Sequence, residues 1–475
     1  MGSKNLKALC VKGTHAVDIY DSETQSRLTA DFMDDFCDYK HLCRDKTLSS
    51  ITDKPLFSGL VRCLSSHNML PDTEETDRYV MTHWGTCGIT ALAANTGDSP
   101  VKNWKGVGYL DFPTNKAQYI SNDYVTQYET QRYGCHHCPL RCGAKLSIPD
   151  GPFPMKDTHK PEYETLCAFG TMILADDVLR VIKVNDMLNR AGIDTISCGV
   201  VVAWAFEAYE QGVLTREDTD GLELTWGNSE AVVPLVEKII YGEGIGAYLK
   251  DGVKRAAEHF KQGSLDYAMN AGGQELPMHD PRNPQGGLGL GVAYIAEPTP
   301  GRHTSSLDAC GYYRTESQQL KEKRTHMHTM KMKVKQSEGD NLRDSSCFMD
   351  LVNGLGMCAF AWGNGVVPPI VEWTNAATGW NYDFEEYLFT ARRIKTVRHA
   401  FNIREGITPD DTLMTTRATG EPPLKHGPNK DMTPDFLGAR EEYYQAMGYD
   451  PKTGKPLPET LDMLDLPEVK KALYG

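Results

Sequence analysis

Apolar residues recur with helical spacing from about residue 165 onward. The segment LADDVLRVIKVNDMLNR places Val178, Ile182, Met187 and Leu188 on one face of a helix with 3.6 residues per turn. Two aspartates stand in its first turn, where negative charge favours the helix dipole. Gly192 follows the apolar pattern and is a typical stop signal. The pattern therefore predicts a helix that ends at this glycine.

A second helix is predicted directly after the first. The segment DTISCGVVVAWAFEAYEQG offers Asp194 as the N-cap and Gly212 as the terminator. Only the residues AGI separate the two patterns, so the two helices are expected to form a tight helical hairpin.

The rest of the chain gives weaker patterns. Residues 5–11 resemble one short strand, residues 12–130 give no clear period, and residues 265–310 are Gly- and Pro-rich with little helix expected. Further helices are predicted near residues 230–241, 247–261, 315–335, 383–401 and 434–446. The predicted fold class is mainly α, and its chemistry is expected on loops that a rigid helical scaffold positions.

Composition narrows the class of protein. The chain has 475 residues, which is enough for two to four domains, and a net charge of −14, which disfavours nucleic acid and anionic lipid as partners. It contains no run of about 18 apolar residues that could span a bilayer. The first residues lack the apolar middle of a signal peptide, and Leu6 breaks a loose match to a myristoylation signal. The predicted location is the cytoplasm.

The 13 cysteines are consistent with a reducing compartment, because the count is odd and most are singly placed. The exception is GCHHCPLRCG, in which Cys135, Cys138 and Cys142 form a C-x2-C-x3-C pattern. A structural zinc site would need a second cysteine or histidine pair, and a thioredoxin-like motif leaves the third cysteine without a role. An iron–sulfur cluster suits three loop cysteines with a distant fourth. The spacing favours the cluster and leaves zinc open.

A fourth ligand must come from elsewhere in the chain. Cys358 is the strongest candidate, because DLVNGLGMCAFAWG places it after a Gly-rich turn between apolar stretches. Cys167 and Cys198 lie on helical patterns and are predicted to be core residues. Cys347 stands in a polar stretch, and Cys310 gives no clear signal.

Four segments together resemble the aldehyde:ferredoxin oxidoreductase family of tungsten or molybdenum pterin enzymes. They are GCHHCPLRCG, KPEYETLCAFG, NRAGIDTISCG and NGLGMCAF, and their order and approximate spacing agree over nearly the whole chain. The opening MGSKNLKALCVKG is also similar to a segment of that family. The resemblance implies the multihelical C-terminal domains of this family, with a short β remnant at the N-terminus.

The resemblance also implies the cofactors. Cys135, Cys138, Cys142 and Cys358 would bind a [4Fe–4S] cluster. Two motifs of the form Asp-x-x-Gly-Leu-(Asp/Cys) would hold the two pterins. In this chain both leading aspartates are asparagine and both leucines are replaced, by Ile193 and Met357. The cofactor-binding residues implied are Asn189, Gly192, Asp194, Asn353, Gly356 and Met357. Cys358 would belong to both sites and link them.

Two catalytic residues follow from the resemblance. Glu164 matches the active-site glutamate of the family, with Glu162 beside it, and would act as general acid or base. The alternative is a carboxylate that only favours a helix N-terminus. His303 is the predicted catalytic histidine, and His279 is the second candidate.

The implied activity is oxidation of aldehydes to carboxylic acids, with electrons passed through the cluster to ferredoxin or an iron–sulfur subunit. The alternatives are an active-site subunit of a benzoyl-CoA-reductase-like complex and a non-catalytic electron-transfer subunit. Family members carry an N-terminal β domain, of which residues 1–13 would be the remnant, so the chain is expected to be a fragment, an internal start or one part of a split enzyme. In the last case a separate polypeptide supplying that domain is an expected partner. Residues 14–200 and 201–475 are expected as two helical domains, and a homo-oligomer is expected.

Overall fold

The computed structural model describes residues 6, 8–38, 80–284, 287–305, 337–361 and 367–475. The first part of this structure combines helices with one small antiparallel sheet. Its helices are α1 (Ser22–Asp38), α2 (Thr90–Thr96), α3 (Gly108–Asp111), α4 (Thr114–Ala117), α5 (Asn122–Thr126) and α6 (Tyr163–Phe169). The sheet has the order β1 (Glu129–Tyr133), β2 (Gly143–Ile148), β3 (Met155–His159).

The remainder is almost entirely helical. The next helices are α7 (Val178–Ala191), α8 (Thr195–Glu210), α9 (Val232–Tyr241), α10 (Gly246–Leu249), α11 (Val253–Phe260) and α12 (Gly287–Ala296). A two-residue hairpin pairs β4 (Asn270–Ala271) with β5 (Gln274–Glu275). The last helices are α13 (Glu338–Gly354), α14 (Ile370–Thr378), α15 (Phe384–Arg404), α16 (Phe436–Met447), α17 (Pro458–Met463) and α18 (Pro467–Tyr474). The prediction of a mainly α fold is confirmed.

The predicted helical hairpin forms as α7 and α8. The side chain of Asp177 caps α7 by accepting from the Arg180 amide, and Asp194 caps α8 by accepting from the Ser197 amide. Helix α8 is buried on nearly every side from Cys198 to Ala208, as expected of a helix that is apolar all round. It forms the centre of the largest core.

A second core lies among α13, α15 and α16. Phe348 and Val352 of α13 pack in it with Leu388 of α15 and Tyr443 of α16, and all four are buried. A smaller cluster joins the apolar face of β2 to Ile182 of α7. The sheet is thereby fixed to the helical hairpin.

Several elements differ from the sequence prediction. The helix predicted over 247–261 is two helices, because Gly252 has a φ of +97° and Glu275 caps the second helix at the Val253 amide. Helix α12 forms inside the Gly- and Pro-rich stretch, since its apolar residues are buried in the cores. Helix α13 was not predicted, and no strand forms at the described residues 6 and 8–11.

The remaining helix predictions near 230–241, 383–401 and 434–446 are confirmed by α9, α15 and α16. The helix predicted over 315–335 lies outside the described residues. In the described ranges, no helix has both the length and the apolar character needed to cross a membrane.

Candidate active site and cluster loop

Three of the four predicted cluster cysteines lie on one hairpin loop. Strands β1 and β2 pair up to Tyr133 and Gly143, so residues 134–142 form the loop between them. Cys135 is exposed, Cys138 and Cys142 are partly buried, and all three are free thiols. The strand pair therefore presents three sulfur ligands at one end of the sheet.

The loop conformation is set by local contacts. The Cys138 amide donates to the Cys135 carbonyl oxygen at 3.0 Å, which closes a turn. A side chain at position 143 would stand 2.6 Å from the ring of Tyr133, so glycine is required where the loop rejoins the sheet. Leu140 anchors the loop, being only 3% exposed and packed near Cys138.

A buried lysine lies under the loop. Lys160 is 1% exposed, and its ammonium group donates to the carbonyl oxygens of Cys142, at 2.6 Å, and Trp84. The Glu129 carboxylate is 3.8 Å away. The positive charge of Lys160 is thus held against the backbone of one predicted ligand.

Cys358 is close enough to the loop for its thiol to interact with the loop thiols. Burial raises its pKa, and the thiolates of Cys138 and Cys135 raise it further. The pKa of Cys142 is raised to about 11 by burial and by Glu162, against the effect of Lys160, with added contributions from Cys138 and Cys358. The fold therefore brings Cys358 to the other three.

The four sulfur atoms are not tightly clustered. Within the described part of the chain, no three of them lie within 4.8 Å of one another. Four thiolates around a single zinc at 2.3 Å would be about 3.8 Å apart. The sulfur atoms of Cys135, Cys138, Cys142 and Cys358 are therefore more widely spaced than the ligands of a formed zinc site. The other described cysteines of interest, Cys167, Cys198 and Cys347, are buried in the cores, and Cys310 lies outside the described residues.

The two predicted pterin motifs adopt the same backbone conformation. Each ends a helix in a Schellman motif, with Gly192 ending α7 and Gly356 ending α13 in the left-handed region. The Gly192 amide donates to Asn189 and the Gly356 amide donates to Asn353, in each case to the backbone carbonyl oxygen. The resemblance between the motifs thus extends from sequence to local geometry.

The side chains of the motifs have different surroundings. Asn189 donates through its side-chain amide to the Asn185 carbonyl oxygen at 2.7 Å, and Asp194 accepts from the Ser197 amide at 2.9 Å. Asn353 and Gly356 are exposed, and a Cβ on Gly356 would meet nothing within 4 Å. Met357 is partly buried against the second core.

Glu164, His279 and His303 lie together. Glu164 stands in the first turn of α6, and its Oε2 accepts from the Met278 amide at 2.8 Å. Its Oε1 is 3.4 Å from Nδ1 of His303 and 3.5 Å from Nε2 of His279. The carboxylate is engaged by distant residues and does not cap its own helix.

Asp98 completes this group. Both of its carboxylate oxygens are 3.0 Å from Nδ1 of His279. The hydroxyl group of Tyr163 donates to the Met278 carbonyl oxygen at 2.6 Å and is 3.4 Å from Asp98. Neither Asp98 nor Tyr163 was predicted from the sequence. The Tyr directly before Glu164 in the PEYET segment was the signal available for Tyr163; for Asp98 there was none.

The three titratable groups have displaced pKa values. Burial raises the pKa of Glu164 to about 7, although His279 and the Met278 amide act in the opposite direction. Burial lowers the pKa of His279, but Asp98 and then Glu164 outweigh it and raise the value to about 9. Burial and the charge of His279 lower the pKa of His303 to about 3. At neutral pH His279 is charged and His303 is neutral.

The first predicted pterin motif adjoins this group. Thr165 of α6 and Thr195 of α8 share a hydrogen bond of 2.8 Å between their hydroxyl groups. Asp194 raises the pKa of Glu164 by its charge. The end of α7 and the start of α8 are therefore next to the carboxylate.

Comparison with known proteins gives one family. Residues 65–466 match the family model "Aldehyde ferredoxin oxidoreductase, domains 2 & 3". The tungsten-containing aldehyde ferredoxin oxidoreductase of Pyrococcus furiosus is 28% identical over 98% of this chain and 68% of the relative, and that of Thermococcus kodakarensis is 26% identical over 94% and 65%. An aliphatic sulfonate oxidoreductase, WOR-like subunit, of Pyrococcus furiosus is 25% identical over 99% and 65%.

A solved structure gives the same fold. A chain of the active site complex BamBC of benzoyl coenzyme A reductase, in complex with 1,5 dienoyl-CoA, has a TM-score of 0.64 and 19% identity. The match covers 97% of this chain and 67% of that chain. The chain thus spans about two thirds of the length of the proteins it resembles.

Proposed function

The chain belongs to the aldehyde ferredoxin oxidoreductase family of oxidoreductases, and from this we propose that it carries a tungsten (or molybdenum) pterin and a [4Fe–4S] cluster and oxidises aldehydes to carboxylic acids. The observation that carries the proposal is the half-buried pair formed by Glu164 and His303. Within the described residues, Oε1 of Glu164 and Nδ1 of His303 are buried and make no hydrogen bond. Two polar atoms left in this state are costly unless a further group engages them.

The residues present fit both cofactors. Cys135, Cys138, Cys142 and Cys358 would hold the cluster, as the C-x2-C-x3-C spacing with a distant fourth cysteine favours. The motif at Gly192 and the motif at Gly356 would hold the two pterins, in line with their matched backbones. When bound, the metal pterin supplies a two-electron acceptor, and the cluster carries electrons onward one at a time.

The chain's own groups would manage the protons. Oxidation of one aldehyde by one water yields a carboxylate, two electrons and three protons. Glu164 is suited to accept a proton at Oε1, since a base with a pKa near the working pH is the most effective. Neutral His303 can hold the substrate oxygen by a hydrogen bond from a ring nitrogen.

Electrons would leave by way of the hairpin loop. Cys135 is exposed, so a cluster held there would lie near the surface. Ferredoxin or a separate iron–sulfur subunit is the partner we propose. We also predict a homo-oligomer, a separate polypeptide that carries the N-terminal β domain, two helical domains and a cytoplasmic location.

Two alternative functions can be distinguished from aldehyde oxidation by experiment. An active-site subunit of an aromatic acyl-CoA reductase complex has the same fold as this chain, although the identity of 19% supports nothing finer. A non-catalytic electron-transfer subunit would have no need of Glu164 and His303, whose facing atoms are buried. Parallel assays of aldehyde oxidation and of aromatic acyl-CoA reduction separate the three functions.

Replacement of Glu164 tests the proposed function. In cofactor-loaded protein from the native host, Glu164→Gln should lower kcat for aldehyde oxidation by about 10²- to 10⁴-fold, because the base is lost. In the unchanged protein, kcat/KM should rise with pH through about 7, as Glu164 loses its proton, and this rise should vanish in the variant. Viologen-dye reduction measures both quantities.

A matched Glu-to-Gln change provides the control. Glu210 pairs with Lys105 at the surface of the main core and does not touch the site, so Glu210→Gln should leave kcat unchanged. Full activity in Glu164→Gln would refute the catalytic role. If the chain reduces aromatic acyl-CoA and does not oxidise aldehydes, the reductase alternative is the correct function.

A further inference from the structure

We propose that Asp98 and His279 form a positioning ion pair that holds a fixed positive charge beside the carboxylate of Glu164. This inference rests on the proposed function only in giving Glu164 a proton-transfer role. His279 would act through Glu164 and need not touch the substrate. Asp98, in turn, would act through His279.

The geometry shows which ring nitrogen of His279 contacts Asp98 and which contacts Glu164. Nδ1 lies 3.0 Å from both oxygens of Asp98, so this nitrogen carries a hydrogen and donates it to the carboxylate. The opposite nitrogen, Nε2, then points to Glu164, 3.5 Å from its Oε1. With both ring nitrogens facing carboxylates, the doubly protonated ring is the form that satisfies both contacts.

The pair is held by a frame of tyrosines. The ring of Tyr163 lies 4.8 Å from the ring of His279, and its hydroxyl group bonds to the backbone of Met278. Tyr294 of α12 donates to the His279 carbonyl oxygen at 2.9 Å. The Asp280 amide donates to the Asp98 carbonyl oxygen at 2.7 Å. Asp98 and His279 are therefore joined through backbone as well as side chains.

Charged and titratable groups surround the pair on every element packed against it. They are Asp98, Tyr163, Glu164, Asp194, Asp280, Tyr294, Arg302 and His303. The charge of Asp280 is matched by Arg282, at 2.6 Å. Asp98 is the acceptor that touches His279 most closely, which makes it the residue that keeps the ring charged.

The sign of the effect on Glu164 follows from the same contacts. Burial is the largest influence and raises the pKa of Glu164, whereas His279 lowers it by more than Asp98 raises it. If His279 were neutral, the pKa of Glu164 would be higher, and a smaller fraction of Glu164 would be the free carboxylate at neutral pH. His279 therefore acts as a fixed positive charge, whereas His303 acts as a neutral group.

The test compares Asp98→Asn with the unchanged protein. Asparagine keeps an oxygen for Nδ1 but removes the charge. Carbon-13 NMR of labelled histidine, with His279 assigned through His279→Gln, should show His279 titrating near pH 9 in the unchanged protein and at lower pH in Asp98→Asn. The rise of kcat/KM should move to higher pH, with about a tenfold loss at pH 6 for each pH unit of displacement.

Two further variants separate charge from structure. Asp98→Glu should restore the charged histidine and most of the pH profile, because the carboxylate is regained. Asp111→Asn, which changes an exposed aspartate that accepts from the Val107 amide, should alter neither readout. Thermal melting establishes that each variant is folded.

Three outcomes would overturn the proposal. The first is a His279 resonance that titrates below pH 7 in the unchanged protein. This measurement does not depend on whether Asp98→Asn folds. The second is an unmoved pH profile in a folded Asp98→Asn. The third is stoichiometric zinc bound by Glu164, His279 and His303 without release of a proton, since a doubly protonated His279 must lose a proton before it can be a ligand.

The two proposals fail separately. The NMR titration reads the charge of His279 without any substrate, so it can succeed even where no aldehyde is oxidised, which would remove only the proposed function. Aldehyde oxidation with an unmoved profile in Asp98→Asn would remove only the positioning pair.

Discussion

At the scale of single residues, Cys358 is the residue that joins the two proposed cofactor sites. It directly follows Met357 of the second motif, and its thiol interacts with Cys135 and Cys138 of the hairpin loop. A residue shared in this way would give electrons a short covalent route from pterin motif to cluster. The sequence singled it out by its Gly-rich neighbourhood and by family resemblance.

Removal of this thiol gives a direct prediction. Cys358→Ala should lower bound iron about as severely as Cys138→Ala, because each removes one of four cluster ligands. Cys10→Ala is the matched control, since Cys10 is an exposed free cysteine and should leave iron content unchanged. Iron analysis and the visible absorption of the cluster measure the effect. An intact cluster in Cys358→Ala would contradict the ligand assignment.

The residues of the site differ in how well they could be predicted from the sequence. Glu164 and His303 could be predicted because family motifs mark them, and the structure places them 3.4 Å apart. Asp98 could not, because nothing in the NTGDSP segment indicates that it meets a histidine so far along the chain. His279 was predicted only as the second candidate. Tertiary contacts, which local patterns do not encode, decide its charge.

At the scale of elements, the ends of helices carry the proposed pterin contacts. Helices α7 and α13 stop in the same Schellman motif, and in each the residue after the glycine packs back toward the helix, as Ile193 and Met357 do. Helix ends that expose a glycine suit a flat ligand, because the ligand can approach the backbone closely. This equivalence was foreseeable in the sequence as two related motifs, but the matched backbone was not.

Asp194 has an observed role as a helix cap and a proposed role in pterin binding, and a pair of variants can separate them. Asp194→Ala should lower the free energy of unfolding by about 1 kcal/mol, because the cap of α8 is lost. Asp194→Ser should restore that stability, since serine also caps helices. If Asp194 contacts a pterin, Asp194→Ser should still bind less cofactor. Denaturant unfolding and pterin content are the two measurements. Full pterin content in Asp194→Ser would leave Asp194 as a cap only.

The helices themselves were predictable where their signals are local. The 3.6-residue period, the capping aspartates and Gly192 gave the bounds of α7 and α8 closely. Helix α12 was missed because its glycines suggested a loop, whereas burial of Tyr294 and its neighbours stabilises the helix. The break at Gly252 depends in part on Glu275, which caps α11 from β5.

At the scale of the whole molecule, the fold brings Glu164, His279 and His303 together from distant parts of the chain. The hairpin loop comes from the small sheet, Glu164 from α6, and His303 from the segment after α12. The helical cores fix these parts relative to one another, which is the arrangement that catalysis on a cofactor requires. Mainly α character was predictable from sequence periodicity, whereas the meeting of these loops rests on long-range packing.

The central claim is that this one chain holds both cofactors. Metal and pterin analysis of protein purified without oxygen from its native host tests it most directly. We expect about four iron atoms per chain, with tungsten or molybdenum and about two pterins per metal atom. Iron without tungsten, molybdenum or pterin would contradict it and leave the chain as an electron-transfer protein.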